Sequence, residues 1–271
     1  MVKPLSLSID TAREENQVTS PSSKTAILPE MIDLPGGTFM MGDDEGRSDE
    51  QPAHEVTVDP FAIAKCPVSV AEYALFIQFT DHDQPRDWMH APFDEPNLPV
   101  CGVNWFDAVA YAEWLSELTG QRFHLPTEAQ REFASRGGAE SAYPWGDEAL
   151  KSDGAFARGL NGPATGAPIA IGQKPPSNPD YPGPNSFGLW HMGDNVHEWC
   201  ADWYDRKYYE TSEQLNPRGP AETDRRAARG GSWRHDIKFC RCGARSSLAP
   251  DKRFMDFGFR LARSNSFEYV F

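Results

Sequence analysis

Helix-start signals constrain this chain more than any other feature, and they are confined to one stretch of it. Ser69 followed by Glu72 has the reciprocal capping pattern, in which the hydroxyl accepts from the third helical N–H and the carboxylate reaches back to the cap. Thr127 with Gln130 repeats that pattern, and Asn104 between them offers another cap. The spacing predicts a first helix with Val70, Tyr73, Ala74 and Ile77 on one face. It predicts a second with Phe106, Val109, Ala110, Leu115 and Leu118 facing inward until Gly120, and a third ending near Gly137 and Gly138. Elsewhere Met31 to Gly42 reads as strand, Gly-Gly turn, strand, and short aromatic strands are expected around Trp190, Trp199 to Tyr204 and Trp233. The expected product is one α+β domain.

The 22 Gly and 23 Pro demand many turns and leave little room for long regular elements. Ala142 to Asn185 is rich in Pro, Gly and Asn and too long for an ordinary connection, which suggests a functional loop region or one pinned by metal ions. Residues 1–28 carry polar clusters such as Glu14 to Gln17 and Ser20 to Ser23 with nothing to pack, so they read as a flexible arm ahead of a domain over 29–271. Eight Trp exclude a disordered chain.

A net charge of −14 repels phosphate backbones, which excludes nucleic acid as a partner. No apolar leader and no run long enough to span a bilayer are visible, so the expectation is a cytoplasmic, reduced protein without a membrane role. Cys66, Cys101, Cys200, Cys240 and Cys242 are odd in number and form no CxxC pair, so neither a complete set of internal disulfides nor structural zinc is expected.

Short motifs follow one another from about Met31 to Arg263. They include Gly36 to Gly42, Pro52 to Val56, His124 to Glu132, Pro144 to Asp147, Phe187 to Trp190, Gly193 to Trp199, Arg229 to Trp233, and Gly258 to Leu261. In this order they resemble the formylglycine-generating enzyme, or sulfatase-modifying factor, family. The resemblance implies a single domain of C-type-lectin-like topology, low in regular secondary structure and usually calcium-bound. The family includes sulfoxide synthases, pyoverdine-maturation oxidases and ligand-binding proteins, so the fold does not by itself fix a reaction.

The family's aldehyde-forming enzyme binds copper with thiols three and eight residues after the Ser of its Arg-Gly-Gly-Ser motif. Counted from Ser232, those places hold His235 and Cys240. The loss of the first thiol argues against authentic formylglycine formation, while a His/Cys pair with Cys242 nearby remains a conceivable copper or iron site. Cys240 also fits a small packing residue. The expected geometry is His235 and Cys240 facing one another across a surface cleft, with Ser232 beside them.

The resemblance also assigns a calcium loop, with Glu198 and the carbonyls of Asp194 and Val196 as ligands, Asn195 among them, and His191 where an oxygen donor is usual. His197 stands where Trp is common, so His191, His197 and Glu198 have the composition of a two-His-one-carboxylate iron set. His124 replaces the usual Arg of its motif and Arg131 the usual Trp. Thr127, Glu128, His54 and Trp145 read as scaffold, and Arg229 and Arg260 as partners of buried carboxylates. His82 and His90 fall in a loop, Asp81 to Asn97, whose spacing makes neither a ligand.

Two functional expectations follow. One is a metal-dependent, oxygen-using oxidoreductase acting on a small molecule or peptide. The other is a non-catalytic ligand-binding or accessory domain using the same face.

Overall fold

The computed structural model describes residues 17–19, 25–85, 88, 90–147, 168–174 and 181–264. Most of the expected N-terminal arm and the middle of the long Pro/Gly-rich connection lie outside them. Strand β1 (Gln17–Thr19) pairs antiparallel with β2 (Thr25–Ile27), and Ala26 is buried in the main core. The packed chain therefore begins ahead of residue 29.

The three expected helices form where their caps place them. Helix α1 (Val70–Phe79) starts with Ser69 Oγ accepting the Glu72 N–H at 3.2 Å and Glu72 Oε2 accepting the Ser69 N–H at 2.7 Å. Helix α2 (Trp105–Thr119) has a full box of Asn104 with Asp107 and stops at Gly120, whose φ of 71° is left-handed. Helix α3 (Glu128–Arg136) opens on Thr127 with Gln130 and ends at Gly137. The inward face of α2 differs from expectation. Trp105, Ala108, Tyr111, Ala112 and Leu115 are buried, whereas Phe106 is 53% exposed. The cap at Asn104 sets the helix phase, and Trp105 anchors it by donating its indole N–H to the Cys200 carbonyl at 2.8 Å.

Strands β3 (Met31–Leu34) and β4 (Gly37–Met41) form as expected but do not pair with each other. β3 pairs with β6 (Phe61–Ala64), and β4 pairs with β5 (His54–Val58). Gly36 makes this redirection possible, since a Cβ there would lie 2.4 Å from the Val58 carbonyl oxygen at a φ of +67°. Trp190 and Trp233 lie in bends and turns, not strands.

Two four-stranded sheets organise the remainder. One has the order β10 (Arg245–Leu248), β9 (Arg226–Arg229), β8 (His197–Trp203), β11 (Phe257–Gly258), with β8 and β11 parallel. The other has the order β3, β6, β12 (Ala262–Arg263), β7 (Phe123–His124). The short segment from β11 to β12 passes from one sheet to the other and carries Arg260 into the interior. Tyr73, Tyr111, Trp114 and Phe259 pack the larger core under α1 and α2. Phe133, Phe61, Val56 and Leu34 pack a second one under α3. Among the described residues no helix is long and apolar enough to cross a membrane.

Candidate functional site

Helix α3 turns Glu128, Arg131 and Glu132 toward the strands, where the two carboxylates meet arginines of β9 and β10 and Arg131 meets Glu198 of β8. Glu128 takes Arg245 on both oxygens, at 2.8 and 2.9 Å, and Arg229 at 2.9 Å. Arg229 also reaches Glu132 Oε2 at 2.7 Å. Glu198 accepts from Arg131 at 2.8 Å and from Arg260 at 2.6 and 2.8 Å. Burial alone raises the Glu128 and Glu198 carboxyls, but the adjacent guanidiniums outweigh it and hold both below the usual carboxylate range. Every one of these groups is buried and multiply bonded, which is a scaffold and not a reaction centre.

This network changes the expectation for the calcium loop. Both Glu198 oxygens face guanidiniums, and Arg131 supplies one of them from the position where the family usually has Trp. The other expected donors are also engaged. The Asn195 side-chain amide exchanges two bonds with the Ile169 backbone, at 3.0 and 3.1 Å, and the Asn195 backbone carbonyl accepts the Trp233 N–H. The Asp194 carboxylate accepts the Tyr181 hydroxyl, and the Asp194 carbonyl accepts the Val196 N–H. His191 bonds Tyr181 through Nδ1 at 2.8 Å and accepts the Gly172 N–H at Nε2 at 3.2 Å. Among the described residues, His191, His197 and Glu198 do not converge as a ligand set.

The thiols differ from expectation as well. A short 3-10 turn over Ile237–Phe239 carries Cys240 inward, where it packs with Tyr143 and against Ile237 and Trp145 at 1% exposure. A Cβ on Gly231 would stand 2.7 Å from its Sγ, so the glycine of the Arg-Gly-Gly-Ser motif admits the sulfur. Burial pushes the Cys240 thiol well above its ordinary value, which suppresses the thiolate that copper needs. Cys242 is buried too, against the Ser135 hydroxyl at 3.5 Å, and burial pushes it up to about 11. Among the described residues, Cys240 therefore does not face His235 across a surface cleft.

His235 instead meets residues from two adjacent strands. His197 heads β8, and Asp256 immediately precedes β11; the parallel pairing holds them together, with the His197 N–H donated to the Asp256 carbonyl at 2.8 Å. His197 Nε2 lies 2.7 Å from His235 Nδ1. Ser232 Oγ lies 3.1 Å from the same His235 nitrogen and donates to Asp256 Oδ2 at 3.1 Å. His235 Nε2 faces Asp256 Oδ2 at 3.8 Å, and Arg234 stands 3.7 Å from the other carboxylate oxygen. Ligand atoms of His197, His235 and Asp256 all fall within 4.8 Å of one another. Burial, and then the neighbouring His235, lower His197 to about 4, and burial lowers His235, so both rings are neutral at physiological pH. His197 and Asp256 are buried, while the His235 side chain is 38% exposed and opens onto a cavity of about 270 Å³ bordered by Arg47, Tyr204, Arg225 and Phe239.

Sequence reasoning placed Ser232 and His235 here but missed Asp256 and assigned His197 to another set. The available signal was Asp256 standing two residues before Gly258 of the last motif, although only strand pairing brings it to residue 197. His82 bonds Asp107, and the ring of His54 packs on Tyr209, so neither belongs to the site.

A fold of two small sheets and capped helices around an arginine–carboxylate core, with this cluster at one rim, defines the class. The chain belongs to the sulfatase-modifying factor enzyme 1-like domain family, which matches residues 16–265. It is 32% identical over 304 residues to a formylglycine-generating enzyme of Streptomyces coelicolor, covering 89% of this chain and 91% of that protein. It is also 32% identical to the serine/threonine-protein kinase pkn1 of Chlamydia caviae, covering 92% of this chain but 40% of that protein. The structure of PvdO from Pseudomonas aeruginosa superposes with a TM-score of 0.71 at 29% identity, covering 87% of this chain and 94% of PvdO. The domain therefore occurs in proteins named for different activities.

Proposed function

We propose that this chain is an oxygen-using oxidoreductase whose reaction centre is the cluster of His197, His235, Ser232 and Asp256. The observation that carries the reading is the convergence of these four polar groups, held by two paired strands and a turn, at the rim of a cavity. The place of His235 three residues after Ser232 is where the related oxidase holds a reactive thiol. The copper-dithiolate arrangement of that enzyme does not fit here, because Cys240 is buried and protonated and the first thiol is an imidazole.

The residues divide the work by environment. Asp256 orients the Ser232 hydroxyl, which in turn fixes His235. The His235 imidazole, partly exposed and lining the cavity, is the member of the cluster placed to meet a bound substrate. Arg47 on the cavity wall is paired with Asp49 and Glu50, and Arg225 is hydrogen-bonded to Ser247, so neither guanidinium is left free for a substrate; the volume suits a small molecule or a single peptide side chain. Five free cysteines support a reducing, cytoplasmic setting.

Oxygen uptake by the purified chain with panels of thiols and amines tests the reading. The expected result is uptake with one substrate class that His235→Ala abolishes and Cys240→Ser preserves. Uptake lost in Cys240→Ser while the fold is intact would overturn it. A second reading, a non-catalytic ligand-binding domain, is favoured by the burial of Cys240. Binding of a small-molecule ligand without oxygen uptake in any condition would select it.

A further inference from the structure

We infer that His197, His235 and Asp256 form a binding site for a single first-row divalent transition ion of the iron(II), cobalt(II) or zinc class, with Ser232 at its edge. The site shares His235 with the copper position that the family resemblance suggests but not Cys240, and it takes none of the ligands of the calcium loop. The inference deepens the proposed oxidoreductase and rests on it only for the ion's catalytic meaning. Ion binding itself stands on geometry.

Four observations point to it. First, the ligand atoms of the three residues lie within 4.8 Å of one another, and two of the residues are almost fully buried. Second, two imidazole nitrogens face one another at 2.7 Å. Nitrogens bound to one such ion at about 2.0–2.1 Å each stand about 3.0–3.4 Å apart, so a small outward movement of the exposed His235 ring admits it. Third, the donor set is selective. Two nitrogens and one carboxylate suit borderline divalent ions with positions left open, while calcium asks for six to eight oxygens and copper(I) for soft sulfur. Fourth, the frame is fixed before any ion arrives. His197 and Asp256 are tied by strand pairing, and the His235 backbone N–H bonds the Ser232 carbonyl at 3.1 Å.

The competing account is a proton shared between the two rings. A proton on His235 Nδ1 satisfies His197 Nε2 and Ser232 Oγ, but it turns the lone pair of His235 Nε2 toward Asp256 Oδ2 at 3.8 Å. An ion in place of that proton lets the His235 Nε2–H face the carboxylate. Two nearby cations oppose the ion, Arg234 beside Asp256 and Arg47, whose charge reaches His197; the side chains of both are partly exposed, and Arg47 is paired with Asp49 and Glu50.

The test uses the full, untagged chain, stripped with chelator and dialysed, then titrated with cobalt(II) and followed by visible absorption and calorimetry. The expected result is one equivalent per chain, displaced by zinc(II). His235 lies on a turn with its side chain partly exposed, so His235→Ala should keep the fold. It should weaken binding by at least about a hundredfold, the upper end of what removing a mere supporting partner costs. Asp256→Asn should weaken it as well, and Cys240→Ser should leave it within about twofold of the native affinity. Failure of the native chain to take up cobalt(II) or zinc(II) overturns the inference, as does equal uptake by His235→Ala. Loss of binding in a folded Cys240→Ser chain also overturns it, in favour of a thiolate site. Stoichiometric binding without oxygen uptake would leave the ion site standing and remove only the oxidoreductase reading.

Discussion

Two groups of titratable side chains lie close together in this domain and are built on opposite principles. The arginine–carboxylate network around α3 satisfies each buried charge several times, as with Glu128, which holds Arg245 and Arg229 together. The cluster at His197 contains neutral rings, a hydroxyl and one carboxylate, and it leaves an exposed edge toward a cavity. The most recognisable motif of the chain, His124 to Glu132, feeds the saturated network. The cluster sits where the chain departs from its family, at His197 and His235. Saturation removes reactivity, and a third departure, Arg131, lies in the saturated network, so it is the unspent, partly exposed donors of the cluster and not departure itself that set the two groups apart.

The sharpest way to break this contrast is to unbalance the network. Arg229→Ala leaves Glu128 with Arg245 and Glu132 with Arg136 as their remaining charged partners, and removing one partner of a buried ion pair costs about 3–5 kcal/mol. The expected outcome is a melting temperature lower by roughly 8–15 °C, read by calorimetry or circular dichroism. A loss under about 1 kcal/mol would show that these charges reach solvent and are not a scaffold.

Asp202 supplies the next largest effect. It accepts the Glu128 N–H at 2.8 Å where its neighbours hold guanidiniums, and burial together with the charge of Glu128 raises it to about 7. A raised carboxyl means that the folded chain holds a proton that the unfolded chain has lost. Its contribution to stability is therefore present at acidic pH and declines as pH climbs from about 4 to about 7. Buried His124, lowered to about 4 chiefly by burial, acts oppositely, gaining stability as pH rises from about 4 to about 6.5. Asp202→Asn keeps an oxygen for the helix N-terminus and removes the buried charge. It should stabilise the protein above pH 7 by about 2–4 kcal/mol and expose the rising slope due to His124. A denaturant series from pH 4 to 8 reads both, and unchanged slopes would place Asp202 in contact with water.

His235→Ala is expected to do the reverse of Arg229→Ala. Its ring is partly exposed and lies on a turn, so the change in unfolding free energy should stay within about 0.5–1 kcal/mol. Oxygen uptake should nonetheless disappear. If instead stability collapses and activity follows it, the cluster is a structural element like the network.

How much of this was legible before the structure depends on whether the determining signal is local. Caps at Ser69, Asn104 and Thr127 act within four residues, so helix starts and stops could be read directly. The inward face of α2 was missed because Trp105 is drawn in by the Cys200 carbonyl, a partner 95 positions away. Strands β3 and β4 were visible, but their partners were not, since the close approach of Val58 at Gly36 lies outside any short window. At the site, Ser232 and His235 share one turn and were found together. Asp256 reaches them only through the pairing of β8 and β11, and the inward turn at Ile237–Phe239 that buries Cys240 has no sequence mark beyond its neighbours.

The smallest effect expected concerns calcium at Glu198, and it bears on why Arg131 stands where Trp is usual in the family. A cation near a carboxylate can be an ion or a guanidinium, and Glu198 already has two of the latter, Arg131 through Oε2 and Arg260 through both oxygens. Two positive charges on one carboxylate leave a local excess that repels a divalent ion. Calcium also asks for six to eight oxygens, whereas the Asn195 amide is spent on Ile169 and the Asp194 carboxylate on Tyr181. A calcium-selective chelator should therefore move the melting temperature by under about 1 °C, against the roughly 2.7 kcal/mol that an ion at a hundredfold excess over its Kd contributes. Arg131→Trp, which restores the residue usual in the family, removes one of the two competing charges, and it is the variant in which added calcium should begin to raise the melting point. A calcium-dependent rise already present in the native chain would mean that the Arg131–Glu198 pair opens for the ion, and that the network is less rigid than its bonds suggest.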